Sequence, residues 1–139
     1  MNDIISVNPN GPRIVIISAE RVDIDVRQNA YAHAELSDVL RNLGIRHAEA
    51  QGCYKAHKEL SYVCIAADDI TLNNLRKLAK YFDQECILVA NEYRDTYLDD
   101  VADGSRHDLN GRLCEVTKVY AEKQEAYTIL NDKYYTVVQ

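Results

Sequence analysis

Hydrophobic positions fall into short blocks whose spacing changes along the chain. Residues 13–19, Arg-Ile-Val-Ile-Ile-Ser-Ala, form a β-branched run bounded by Gly11-Pro12, and predict a first, buried strand. Over 28–42 the apolar residues Ala32, Leu36, Val39 and Leu40 recur at three- and four-residue spacing, continued by Leu43. This predicts a helix stopped by Gly44. A weaker alternation over 45–54 and a clear one over 60–66 predict two strands. Asp68 and Asp69 can cap a second helix carrying Leu72, Leu75, Leu78, Ala79 and Phe82 on one stripe. Residues 85–90, Glu-Cys-Ile-Leu-Val-Ala, predict another buried strand.

The order so far is βαββαβ. Two helices on one face of a four-stranded antiparallel sheet is the ferredoxin-like arrangement, an α+β class. Residues 91–112 break the pattern. They are charged and turn-rich, and predict a long loop of the functional or mobile kind. Three further strands are expected at 113–120, 126–130 and 134–138, the last two as a hairpin around Asn131-Asp132-Lys133. Residues 1–12, rich in Asn, Pro and Gly, read as a flexible lead into a single domain over 13–139.

Composition narrows the function classes. The chain has 139 residues, 47% hydrophobic and 27% charged, which suits one globular domain. A formal net charge of −6 disfavours a general nucleic-acid binder. No apolar run approaches the length of a membrane helix, about 20 residues, so a cytoplasmic protein without membrane partners is expected. Cys53, Cys64, Cys86 and Cys114 include no C-x-x-C pair, and three of them sit in apolar runs, as buried free thiols do. The histidines, at 33, 47, 57 and 107, form no H-x-x-x-H pair, so neither metal nor cofactor is expected. Nucleotide-binding glycine motifs and a G-x-S-x-G element are absent.

Candidate chemistry lies at strand ends. Gly52-Cys53-Tyr54 is followed closely by Glu59, and a tyrosine ring with a carboxylate can hold a cation. Ser18, Ala19 and Arg21 leave the first strand, and Arg21 can clamp a carboxylate. Asn91 and Glu92 end the fourth. Each of these also fits an ordinary surface role, and spacing does not decide.

A resemblance adds what spacing does not. Residues 14–21, Ile-Val-Ile-Ile-Ser-Ala-Glu-Arg, resemble an apolar strand ending in Ser-Ala-Phe-Arg, with Glu20 in place of the aromatic. Asn29, His33, Leu40 and Arg41 follow in step. Gly52-Cys53-Tyr54 repeats a Gly-Cys-Tyr motif, and Leu72-Asn73 fits on the second helix. Residues 83–89 are similar to Glu-Gln-Asp-Cys-Val-Leu-Val, and 127–132 to the final hairpin. The pattern is that of the anti-restriction S-adenosylmethionine (SAM) hydrolases of T-odd coliphages, better described as SAM lyases, and spans about 13–138.

The resemblance implies a PII-like homotrimer in the host cytoplasm, with SAM bound between subunits. It implies cleavage to 5′-methylthioadenosine and homoserine lactone, which depletes SAM and counters restriction. It makes Tyr54 and Glu59 the catalytic pair, with Glu59 on the α-ammonium and Tyr54 at the reacting end. Ser18, Ala19, Arg21, Asn29 and Glu92 become substrate-binding residues. Two rival classes use the same sequence: a PII-like module that binds SAM or a nucleotide without cleaving it, and a phage protein that blocks a host enzyme through its acidic surface.

Overall fold

A computed structural model describes residues 7–139. In chain order it contains β1 (Ile14–Ile17), α1 (Val26–Asn42), β2 (His47–Tyr54), β3 (His57–Ile65), α2 (Asp69–Tyr81) and β4 (Cys86–Ala90). These are followed by β5 (Asp95–Asp100), β6 (Arg106–Val116), α3 (Lys118–Glu122), β7 (Ala126–Leu130) and β8 (Lys133–Val138). The eight strands close into one antiparallel barrel in the order β1-β3-β2-β7-β8-β6-β5-β4, with β4 paired back onto β1.

The barrel corrects the expected ferredoxin-like, PII-like α+β fold. In an open four-stranded sheet β2 and β4 would be edges. Here β2 pairs with β7, Gly52 opposite Thr128, and β4 pairs with β5, Leu88 opposite Leu98. Closure removes both edges and satisfies their unpaired main-chain groups. The region expected as a loop over 91–112 supplies β5 and most of β6. The strand expected over 113–120 ends at Val116, and Thr117 caps α3 by accepting from the Tyr120 amide.

Local signals explain the other elements. Asp25 and Gln28 form a reciprocal capping box at the start of α1, and Gly44 ends it at φ +71°. Asp68 accepts from the Thr71 amide at the start of α2. Asn131 and Asp132, both at positive φ, turn β7 into β8 as a two-residue hairpin.

Alternation along the strands divides the core. Val15 and Ile17 of β1 face α1 and α2 with Leu36, Leu40, Leu75, Ile87 and Val89. Ile14 and Ile16 face the barrel interior with Ala50, Val63, Leu113, Leu130 and Tyr135. Both faces of β1 are covered, so its sequence is apolar at every step. Of the expected buried cysteines, Cys64 lies in the helix-side core. Cys86 is exposed and Cys114 half-buried, because both stand where the barrel wall meets solvent; Cys53 is buried.

Two buried charges hold the closing strands. Asp99 of β5 has a fully buried side chain and meets the Arg76 guanidinium of α2 in a forked contact, with Nε 3.1 and 3.2 Å from its two oxygens. Arg76→Ala strands that carboxylate and is expected to cost about 3–5 kcal/mol in urea unfolding, whereas replacing both residues by apolar ones costs much less. Arg94, fully buried at φ +69°, donates to the carbonyls of Val7, Asn8, Pro12 and Asn91 at 2.7–3.1 Å. Of the expected flexible lead, residues 1–6 lie outside the described residues and 7–12 run against this guanidinium.

Candidate active site

The site is built where strands of unequal length meet. β1 ends at Ile17, opposite Tyr62, but the β2–β3 hairpin runs on to a tight turn at Lys55-Ala56, both at positive φ. The overhanging hairpin leaves the barrel open at that end, over a cavity of about 340 Å³. Gly52, Tyr54, His57 and Glu59 line it from the hairpin. Leu88, Leu113, Thr128, Tyr135 and Val137 line it from the interior.

Gly52 stands opposite Glu59 in the ladder. A side chain there would meet the Glu59 carbonyl at 3.6 Å, an ordinary contact, so the glycine is not demanded by a neighbouring backbone. Its effect is to leave the cavity open beside the carboxylate. Tyr54 is 54% exposed at the rim, and the Lys55 ammonium lies 5.3 Å from its ring centroid.

Glu59 is half-buried. Removal of water pushes its carboxyl above the usual glutamate range. Ser18 and His57 oppose that shift, and the charge of Glu20 adds to it. Ser18 is buried and donates to the Leu60 carbonyl at 2.8 Å. An ionisable group in an otherwise mostly apolar cavity is suited to binding a cation and to stripping it of water.

The expected site residues divide accordingly. Tyr54 and Glu59 share the cavity, and Ser18 holds the Leu60 carbonyl, next in the chain to Glu59. Ala19 is buried in the helix-side core. The Arg21 guanidinium is engaged by Asp23 and by Asp83 at 2.9 Å, beside a separate groove with Tyr31 and Tyr81. Asn29 fastens the loop before α1, accepting from the Arg21 amide at 2.8 Å and donating to its carbonyl at 2.9 Å. Glu92 is exposed beyond Ala90, and the register places Ala90 against Ile14, at the end of β1 remote from Ser18. Within one chain Arg21, Asn29 and Glu92 do not reach the cavity.

Sequence reasoning missed Thr128, Tyr135 and Val137, which enter from β7 and β8. Their alternation with outward residues was the available signal; the missing information was that this hairpin closes a barrel against β2. It missed His57 because the turn before it hides the start of β3.

Among the described residues no group of three or more His, Cys, Asp or Glu side chains could hold a metal ion, and no helix is long and apolar enough to cross a membrane. No curated protein matches the chain. The sequence profile of the S-adenosylmethionine lyase family matches residues 15–138, from β1 through β8, and so includes every residue that lines the cavity. The chain belongs to the S-adenosylmethionine lyase family and is an SAM-cleaving enzyme.

Proposed function

We propose that SAM binds in the cavity at the open end of the barrel and cleaves itself there, giving 5′-methylthioadenosine and homoserine lactone. The observation that carries this reading is Glu59: one half-buried carboxylate in a mostly apolar cavity of small-molecule size.

The chemistry asks little of the protein. SAM carries a sulfonium, which leaves as a neutral thioether without protonation. An oxygen of the substrate's own carboxylate attacks its γ-carbon, and the carbon–sulfur pair departs with sulfur. A five-membered lactone forms, and the carboxylate and sulfonium charges vanish together. No enzymic nucleophile or proton donor enters the balance.

The protein's contribution is shape and dryness. Glu59 binds the α-ammonium and fixes the rotamer that brings carboxylate, carbon and sulfur into line. Orientation of this type can lower an intramolecular barrier by roughly 7–11 kcal/mol. Tyr54 meets the sulfonium end at the rim, by ring face or hydroxyl. Leu88, Leu113 and Val137 exclude water, which favours attack because charge is lost on the way to product.

Tyr54 and Val22 are left open to solvent at the rim, Val22 at 80%, which suits a site completed by a neighbouring chain, in the proposed assembly a trimer. Depletion of SAM would then starve methylation and SAM-dependent restriction in the host cytoplasm. Incubation of the purified chain with SAM, with products resolved by mass, is expected to give the lactone. Homoserine formed directly would replace the intramolecular route by hydrolysis, and sedimentation at a single-chain mass would remove the shared site.

A further inference from the structure

The rim holds a second carboxylate that the reaction does not use. β1 pairs with β3 only as far as Ile17 opposite Tyr62, so Leu60, the next position on β3 that faces β1, has no strand on that side, while β2 lies on the other. Side chains take that place. The Ser18 hydroxyl donates to the Leu60 carbonyl at 2.8 Å, and a Glu20 carboxylate oxygen accepts from the Leu60 amide at 2.8 Å. Glu20 is itself held on both sides of its backbone. Its amide donates to Ser18 Oγ at 3.0 Å, and its carbonyl accepts from Gln84 Nε2 at 3.0 Å. Leu60 is the residue next to Glu59.

We infer that Glu20 is a positioning residue for Glu59: its carboxylate stands in for the missing strand at Leu60 and fixes the direction in which the Glu59 side chain enters the cavity. An unpaired strand amide at a barrel mouth would fray, and the neighbouring side chain would lose its aim. A charge-assisted bond from a carboxylate to a main-chain amide is the stronger kind available there. The inference rests on the reading of Glu59 as the residue that holds SAM.

Glu59 also reports on Glu20 directly. The groups that act on the Glu59 carboxyl are the Ser18 hydroxyl, the charge of Glu20 and His57, and it acts in turn on the Cys86 thiol. Removing the Glu20 charge lowers the pH at which Glu59 titrates, and letting the Glu59 side chain swing out into water, as loss of its aim would, lowers it further.

The test uses the full chain as parent, Glu20→Gln and Glu20→Ala. Glutamine keeps an oxygen for the Leu60 amide but not the charge; alanine keeps neither. In Glu20→Ala the Leu60 amide is expected to exchange at least about tenfold faster with solvent, and kcat/KM for SAM to fall by about the same factor. In Glu20→Gln both stay near parental values. In both variants the Glu59 carboxyl, followed by NMR, titrates at lower pH than in the parent, and lower in Glu20→Ala than in Glu20→Gln. Should Glu20→Ala fail to fold, Glu20→Ser, whose hydroxyl is too short to reach the Leu60 amide, takes its place in the same measurements. Parental exchange at Leu60 in Glu20→Ala, or the same Glu59 titration in Glu20→Ala as in Glu20→Gln, overturns the inference. If the parent does not consume SAM, the assignment of the site falls, while the amide and carboxyl measurements still decide the role of Glu20.

Discussion

Glu59→Gln is expected to lower SAM turnover by about 10²–10³-fold or more and, at neutral pH, to raise the thermal midpoint of the protein. Both effects have one cause. The carboxylate is held in a cavity that strips it of water, so it binds an ammonium more strongly than an exposed glutamate would, and the empty protein is less stable for holding it. Its raised proton affinity means the folded chain binds a proton at pH values where the unfolded chain has lost it. The stability from that proton is fully present below the ordinary glutamate value and is lost as pH rises through the raised one. Glutamine, which cannot ionise, escapes the loss. The same titration sets the acid limb of kcat/KM: turnover in the parent falls as pH drops through a value above the ordinary glutamate range. A variant with parental turnover, or an acid limb at or below that range, would show that Glu59 does not hold the substrate.

Arg94→Met is expected to cost about 3–5 kcal/mol of stability, as much as Arg76→Ala and likewise away from the cavity. The guanidinium is fully buried and donates to carbonyls from residues 7–12 and from Asn91, which would be left without those donors. Methionine fills part of the volume and supplies no hydrogen. Gly11 belongs to the same packing: a side chain there would come within 2.8 Å of Arg94 Nη2. Urea unfolding should show a lower midpoint with an unchanged slope. Because Arg94 sits near Pro12 and Asn91, at the other end of β1 from Ser18, kcat measured well below the new midpoint should match the parent.

How much the sequence disclosed follows from where each signal is stored. The helices were legible because their periodicity and the signals at Gly44 and Asp68 are local; the Asp25–Gln28 box, equally local, went unread and starts α1 at Val26 rather than at 28. The final hairpin was legible from Asn131-Asp132. Barrel closure was not. β6 carries mostly exposed polar residues, and β5 contains a charged residue, Asp99, whose burial is possible only because Arg76 reaches it from another element. Read alone, those segments look like a charged loop. Tyr54 and Glu59 could be paired through the Gly-Cys-Tyr resemblance and a short hairpin. Within one chain Arg21 lies apart from the cavity, its guanidinium held by Asp23 and by Asp83, 62 residues on. Glu20 passed as a substitution for an aromatic because its partner, the Leu60 amide, is 40 residues distant.

Self-cleavage in this protein requires the sulfonium substrate to lie in the open end of the barrel with its ammonium on Glu59. A crystal structure of Glu59→Gln grown with excess SAM, which that variant should leave intact, tests this most directly. The predicted result is SAM between Tyr54 and residue 59, its methionine end against Leu113 and Val137. SAM bound instead in the groove beside Arg21 and Asp83, with the barrel mouth empty, would contradict it.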